Sequence, residues 1–228
     1  MQLTRLIERL RAHYGPPAPP TMTDPFEMIL YENVAYLADD ARRDAAFQAL
    51  RELVGTKPEA IIRAPKATLV EIARLGGMHA ETRAGRLRQI ADIALRDFKG
   101  DLRGVLREPP ARAKKLLRRF PAIGEPGAEK ILLFSGAYPV LALESNGLRV
   151  LTRIGFGREL KSYAATYRSA QEALASQLKL DCTWLTAAHQ LLRRHGQEVC
   201  RRTRPQCDAC PVARDCAYYA VTPAAGGL

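Results

Sequence analysis

The chain has 228 residues, room for one large domain or two small ones. With 47% hydrophobic residues it can bury a core, which excludes a disordered chain, and no apolar run approaches the ~18 residues of a membrane span. Thirty-five Lys and Arg against 24 Asp and Glu leave a net charge of +11, which suits a polyanionic partner.

Helical periodicity dominates. Leu3, Leu6, Ile7 and Leu10 form one apolar stripe. This opening is polar and amphipathic rather than a secretory leader, so a cytoplasmic protein is expected. Pro16-Pro17-Ala18-Pro19-Pro20 breaks the first helix and reads as a linker. Thr23-Asp24-Pro25 starts the next, with Asp24 as N-cap and Pro25 in the first turn. Apolar stripes follow over 41–54, 67–75 and 83–98, the last with Leu87, Ile90 and Ala94 on one side. Pro109-Pro110 precedes a helix at 111–119, and further helices are expected at about 126–136, 145–154, 164–178 and 182–195. Alternating strand patterns are absent, so the fold class is all-α. The Ala/Gly tail 222–228 is expected to fray.

Three segments carry chemistry. Residues 112–136 read as a basic helix, a tight turn at Ala122-Ile123-Gly124 and a second helix from about Pro126. Gly124 can take a positive φ and leaves room for another backbone. The free N–H groups that open the second helix suit a phosphate, with Ala122, Gly124 and Gly127 at the turn. Lys114, Lys115, Arg118 and Arg119 would add phosphate attraction. An ordinary helix–turn–helix joint has the same pattern. Next, an apolar, strand-like run from Pro139 ends at Glu144, where a helix begins. The helix dipole favours a carboxylate there. It could stabilise an oxocarbenium-like sugar or orient a water, or simply cap the helix. Finally, four of the five cysteines fall within residues 200–216, as Cys200-x6-Cys207-x2-Cys210-x5-Cys216. Thiols so crowded suit a soft metal centre better than disulfides, and tetrahedral zinc and an iron–sulfur cluster are both open. Cys182 stands apart and is assigned no function.

Together these segments resemble the endonuclease III family of helix-hairpin-helix (HhH-GPD) DNA glycosylases. Phe120-Pro121-Ala122-Ile123-Gly124 resembles that family's Leu-Pro-Gly-Val-Gly hairpin. Leu143-Glu144-Ser145-Asn146-Gly147 and the residues to Arg153 resemble its catalytic Asp segment, most closely that of the adenine-mismatch glycosylases. His195-Gly196 and the cysteine spacing are similar to its [4Fe–4S] pattern, and Pro25-Phe26-Glu27 to the start of its second helix. The resemblance implies a six-helix barrel at about 25–135, and a cluster domain made of 1–24 and 136–228, with the DNA site between them. It implies a [4Fe–4S] cluster on Cys200, Cys207, Cys210 and Cys216, zinc being the alternative, and a monomer acting on double-stranded DNA that holds a damaged or mismatched base, in a cytoplasmic, nucleoid-associated setting.

Within that resemblance, two departures bear on activity. The position of the family's nucleophilic lysine, two after the second hairpin glycine, is Pro126, which has no amine for a Schiff base. Lys130 lies about one turn on, where its ammonium is expected to emerge elsewhere. The catalytic Asp position is Glu144, with Asn146 two residues later. Glu32 falls where the adenine-mismatch enzymes place a purine-protonating acid, and a carboxyl buried beside aromatic rings suits that role. Glu32 could instead pair with an Arg. Tyr31 and Tyr36 would stack on a flipped base, Asn146 would join the pocket, and Leu37 or Tyr36 would fill the gap left by the base. In the loop 75–84, Met78 or His79 would form a second intercalating tip and Arg83 a phosphate contact. Arg201, Arg202 and Arg204 would face DNA. The expected activity is a monofunctional glycosylase. A catalytically weak lesion binder and a glycosylase/AP lyase with a non-standard amine are the alternatives.

Overall fold

The computed structural model describes residues 1–221, and the tail 222–228 lies outside the described residues. The helices are α1 (Leu3–Tyr14), α2 (Pro25–Val34), α3 (Asp40–Leu53), α4 (Pro58–Arg63), α5 (Lys66–Leu75), α6 (Ala80–Phe98), α7 (Pro110–Leu117), α8 (Glu125–Phe134), α9 (Ser145–Ile154), α10 (Tyr163–Leu174), α11 (Cys182–Glu198) and α12 (Ala217–Val221), with short 3₁₀ turns between some of them. Among the described residues, extended pairing is limited to one isolated bridge, Tyr36–Gly77, and the chain is all-α as its periodicity predicts. None of these helices is long and apolar enough to cross a membrane. The periodicity overlooks α4, whose six residues are too few to display a 3.6-residue repeat.

The chain folds as two compact units, Thr21–Tyr138, and Met1–Pro20 with Pro139–Leu228. In the first, Asp24 caps α2 by accepting from the N–H groups of Phe26 and Glu27 at 3.0 and 3.1 Å, and Pro25 opens the helix. The long helix α6 is the axle of this unit. Its buried Arg83, Ala84, Leu87, Ile90, Ala91, Ile93 and Ala94 recur at three- and four-residue steps, and it packs against α2, α4 and α5. Leu87 is fully buried, so Leu87→Ala would cost about 2–5 kcal/mol.

In the second unit, Leu3, Leu6, Ile7 and Leu10 are all buried, and α1 packs on α11. Helix α9 buries Gly147, Leu148, Val150, Leu151 and Ile154, and its main partner is α11. Contact is close at Gly196, where a Cβ would come within 2.7 Å of both Cβ and O of Asn146. The strand-like run before α9 is not a strand. Leu141, Ala142 and Leu143 are buried without a ladder partner, and buried carbonyls need donors. Side chains supply them: Gln171 Nε2 donates to Leu141 O at 2.9 Å, His189 Nδ1 to Ala142 O at 2.7 Å, and Tyr163 Oη to Leu143 O at 2.9 Å. This fixes the approach of the chain to Glu144.

Candidate active site and nucleic-acid interface

Glu144 is the N-cap of α9, with extended backbone (φ −86°, ψ 174°). Its Oε1 accepts from the Gly147 N–H at 2.6 Å and its Oε2 from Asn146 Nδ2 at 2.8 Å. Asn146 Oδ1 accepts in turn from Arg149 Nη2 at 2.8 Å. Arg149 also donates from Nη2 to Gly196 O at 2.7 Å and from Nε to Cys200 O at 2.8 Å. Three side chains thus run from the candidate catalytic carboxylate to the first of the four cysteines. The spacing that places Asn146 and Arg149 on one face is that of adjacent helix turns; the end-to-end linkage needs α11 and the loop after it.

The loop carrying the four cysteines is pinned by arginine. Arg153 Nη1 lies 3.6 Å from Cys200 Sγ and donates to Arg201 O at 2.7 Å. Its Nη2 donates to Arg202 O at 3.1 Å, and its guanidinium sits 4.5 Å from the Tyr218 ring centre. His195 Nε2 lies 3.5 Å from Cys210 Sγ, while its Nδ1 meets Tyr14 Oη at 2.9 Å. Burial lowers the His195 pKa to about 4, so the ring is neutral near pH 7. Burial raises Tyr14 to about 12, so its hydroxyl stays protonated. The Cys210 thiol is pushed up to about 11, chiefly by burial and further by Cys200, Cys216 and Cys207; Cys207 is raised by burial and then by Cys200 and Cys216. The four thiols therefore share one electrostatic neighbourhood. Among the described residues, no three His, Cys, Asp or Glu side chains converge as a ligand group for a metal ion. A cavity of about 710 Å³ adjoins this loop, with Asn146, Arg149, Arg153, Lys161, Arg201 and Arg202 in its lining. Lys161 belongs to no motif, and only the fold brings it to these arginines.

In the other unit, the hairpin joins α7 to α8. The positive φ falls on Ala122 (+60°), while Gly124 is extended (φ −85°, ψ −172°), so the turn does not use the left-handed freedom that Gly124 offers. Ala122 and Gly124 are exposed, Gly127 is half-buried, and Asn33 Nδ2 ties α2 to the turn by donating to Pro121 O at 3.0 Å. Lys115 and Arg118 are exposed. Lys114 is not a free phosphate ligand: it pairs with Glu125 at 3.0 Å and Glu129 at 2.9 Å, and although burial, the largest single influence, lowers its pKa, the two carboxylates together outweigh it and hold the pKa above the ordinary lysine value. Arg119 pairs with Asp97 at 2.6 Å.

Glu32 does not stand alone among rings. Its Oε1 accepts from Lys130 Nζ at 2.5 Å and Arg43 Nη1 lies 3.7 Å from its Oε2. Lys130, which the sequence sends elsewhere, therefore reaches α2. Tyr31 donates its hydroxyl to Asp44 at 2.6 Å, packs edge-on to Phe47 and carries the Arg43 guanidinium 5.6 Å from its ring centre. Burial, then the Asp44 bond, raise its pKa. Tyr36, Leu37 and Met78 are exposed. Arg83 is corrected most sharply. It is 1% exposed and donates to backbone carbonyls rather than facing a phosphate.

No family model matches the chain. Among curated proteins it is 31% identical over 107 residues to Endonuclease III of Rickettsia conorii (strain ATCC VR-613 / Malish 7), covering 46% of this chain and 47% of that one. It is 26% identical over 192 residues to Endonuclease III homolog 1, chloroplastic, of Arabidopsis thaliana, covering 84% of this chain and 48% of the relative. The matches thus span about half the length of these relatives. Among solved structures, a trapped Endonuclease III–DNA covalent intermediate superposes with a TM-score of 0.76 at 18% identity over 96% of this chain and 98% of that one. A thermostable thymine-DNA glycosylase superposes at 0.69 and 15% identity over 96% of each chain. The fold is therefore that of the HhH-GPD glycosylases. In sequence, the chain is similar to endonuclease III proteins over about half of their length.

Proposed function

We propose that the protein is a monofunctional DNA glycosylase of base excision repair, which flips a damaged or mismatched base from double-stranded DNA and hydrolyses its N-glycosidic bond. In that reaction the C1′–N bond breaks with its electron pair on the base. The sugar passes through an oxocarbenium-like state, water adds to C1′ and loses a proton, and the base nitrogen gains one. The observation that carries this reading is Glu144, a carboxylate held in place by Gly147 and Asn146 where a developing sugar cation needs a fixed negative charge. Glu32 is the base-facing carboxyl, with Lys130 and Arg43 fixing its direction. Pro126 has no amine, and Lys130 is committed to Glu32, so hydrolysis without strand cleavage follows. The hairpin turn and the cavity lined by Arg201, Arg202 and Lys161 are the DNA-facing surfaces, and the protein acts as a monomer in the cytoplasm, on nucleoid DNA.

Cys200, Cys207, Cys210 and Cys216 would hold a [4Fe–4S] cluster, whose iron–thiolate bonds cross-link the loop and fix its basic residues. The spacing of the four thiols within residues 200–216 supports this reading, and the ring of His195 and the guanidinium of Arg153 lie within hydrogen-bonding reach of Cys210 and Cys200 sulfur. Purified protein should show iron and sulfide in equal amounts and visible absorbance that Cys207→Ala removes; stoichiometric zinc instead would replace this part of the proposal.

The test of activity is a panel of duplexes holding uracil, oxidised, alkylated or mismatched bases, incubated with enzyme and split into two portions. Abasic product should be cut only after alkali. Cutting without alkali together with a borohydride-trapped adduct would overturn the monofunctional assignment. A second reading, a lesion binder without chemistry, is favoured by one observation: both Glu144 oxygens are already engaged by the first turn of its own helix. Tight binding with no abasic product on any duplex would select it.

A further inference from the structure

The buried Arg83 has no part in the chemistry proposed above, yet it is placed where two exposed loops meet. Its Nε donates to Met78 O at 2.7 Å, its Nη2 to Ala73 O and Gly77 O at 2.7 Å each, and its Nη1 to Val34 O. One guanidinium thus binds four carbonyls from the end of α2, the last turns of α5 and the loop that follows. Among the described residues no carboxylate pairs with it; its charge is solvated by peptide dipoles alone. Above it the two loops join edge to edge. The Tyr36 N–H donates to Gly76 O at 2.9 Å, and the Met78 N–H donates to Tyr36 O at 3.3 Å. This approach needs glycine on one side: a Cβ at Gly76 would lie 2.3 Å from Val34 O, and one at Gly77 2.5 Å from Tyr36 O. At the tips, Leu37 is 71% exposed and Met78 55%. Leu37 (φ +50°) and His79 (φ +57°) are held in a left-handed conformation that non-glycine residues seldom adopt unless the surroundings enforce it.

We infer that Arg83 is a positioning residue that locks these two loops into one rigid body, so that Leu37 and Met78 enter a DNA stack as a single two-pronged wedge rather than as independent side chains. Its meaning for DNA rests on the glycosylase reading; the lock itself does not. An apolar pair fixed over a cationic base suits a duplex opened at one step. The tips replace stacking, and the exposed Arg42 on α3 and Arg86 on α6, the helices that the two loops lead into, favour the flanking phosphates.

The experiment has two arms. In the first, amide hydrogen exchange is followed without DNA in the native chain and in Arg83→Lys, which keeps the charge but loses the planar fork. The Tyr36 and Met78 amides should exchange at matched rates in the native protein and speed up together by about tenfold or more in the variant, with the α6 core unchanged. Should Arg83→Lys not fold, Gly77→Ala attacks the same junction from outside, through Tyr36 O, and should give the same paired loss. Unmatched native rates, or a folded Arg83→Lys with both amides still protected, would overturn the inference. In the second arm, 2-aminopurine opposite the lesion reports unstacking in a cycle of Leu37→Ala and Met78→Ala. The two losses should be non-additive in the native background and additive with Arg83→Lys; additivity in both backgrounds would refute the single wedge. No unstacking by any form, with the first arm as expected, would sink the DNA reading and leave the lock standing.

Discussion

The two carboxylates assigned to the proposed chemistry are held in opposite ways. Glu144 is gripped by its own helix: a backbone N–H three residues on and an amide two residues on, both neutral donors. Glu32 is gripped at a distance by Lys130 from α8 and Arg43 from α3, both cations. A carboxylate fixed by neutral donors keeps its full negative charge for a substrate cation, whereas one flanked by ammonium and guanidinium groups has that charge largely compensated. Under the proposed function, the contrast favours Glu144 for the sugar and an orienting role for Glu32 at the base.

Replacing Glu144 by Gln should break this contrast most severely. The amide oxygen can still cap α9, but the charge is gone, and single-turnover base release should fall by about 100-fold or more while the melting temperature hardly moves. Unchanged release would remove Glu144 from the mechanism. Asn146→Ala is the next step down. It deletes the Oε2 bond and the link to Arg149, and a loss of about tenfold is expected, in line with the ~1.5 kcal/mol of one hydrogen bond to a charged group. A loss as large as that of Glu144→Gln would mean that Asn146 contacts substrate directly.

On the other side of the comparison, the Glu32–Lys130 pair is partly solvated, each side chain 26% exposed. A double-mutant cycle with Glu32→Gln and Lys130→Met, followed by urea unfolding, should return a coupling of only about 1 kcal/mol. A much larger coupling would show a pair shielded from water. The smallest effect is a slope. Because the Tyr31 pKa is raised in the folded state by burial and Asp44, its phenol should contribute stability that is full below about pH 10 and is lost as the pH climbs past that value, when the unfolded chain ionises first. Tyr31→Phe should flatten the alkaline limb of stability against pH. An unchanged limb would place its cause in another tyrosine.

Much of this was legible before any coordinates. The stripe Leu3, Leu6, Ile7, Leu10 and the Asp24 cap are short-range patterns, set by 3.6-residue periodicity and by unsatisfied N–H groups at a helix start, and both are found as read. Glu144 as a cap belongs to the same class. The sequence does not reveal the roles of Arg83 and Lys114, because charge on a sequence says nothing about which way a side chain turns. Lys114 meets Glu129 fifteen residues away, and the four carbonyls that Arg83 binds lie up to 49 residues away. The run before α9 looked like a strand because burial and apolarity are common to strands and to any covered segment. Gln171, His189 and Tyr163, its actual donors, come from later helices.

By itself the sequence determined most of the helices, the caps at Asp24 and Glu144, the hairpin segment and the cysteine spacing, since each depends on residues a few positions apart. Only the tertiary structure decided which charges are spent on the protein and which remain for a ligand. It paired Lys130 with Glu32, buried Arg83 beneath two loops and led Arg149 from Asn146 to Cys200, because electrostatic partners are chosen by distance in space, and a folded chain makes that distance independent of separation along it.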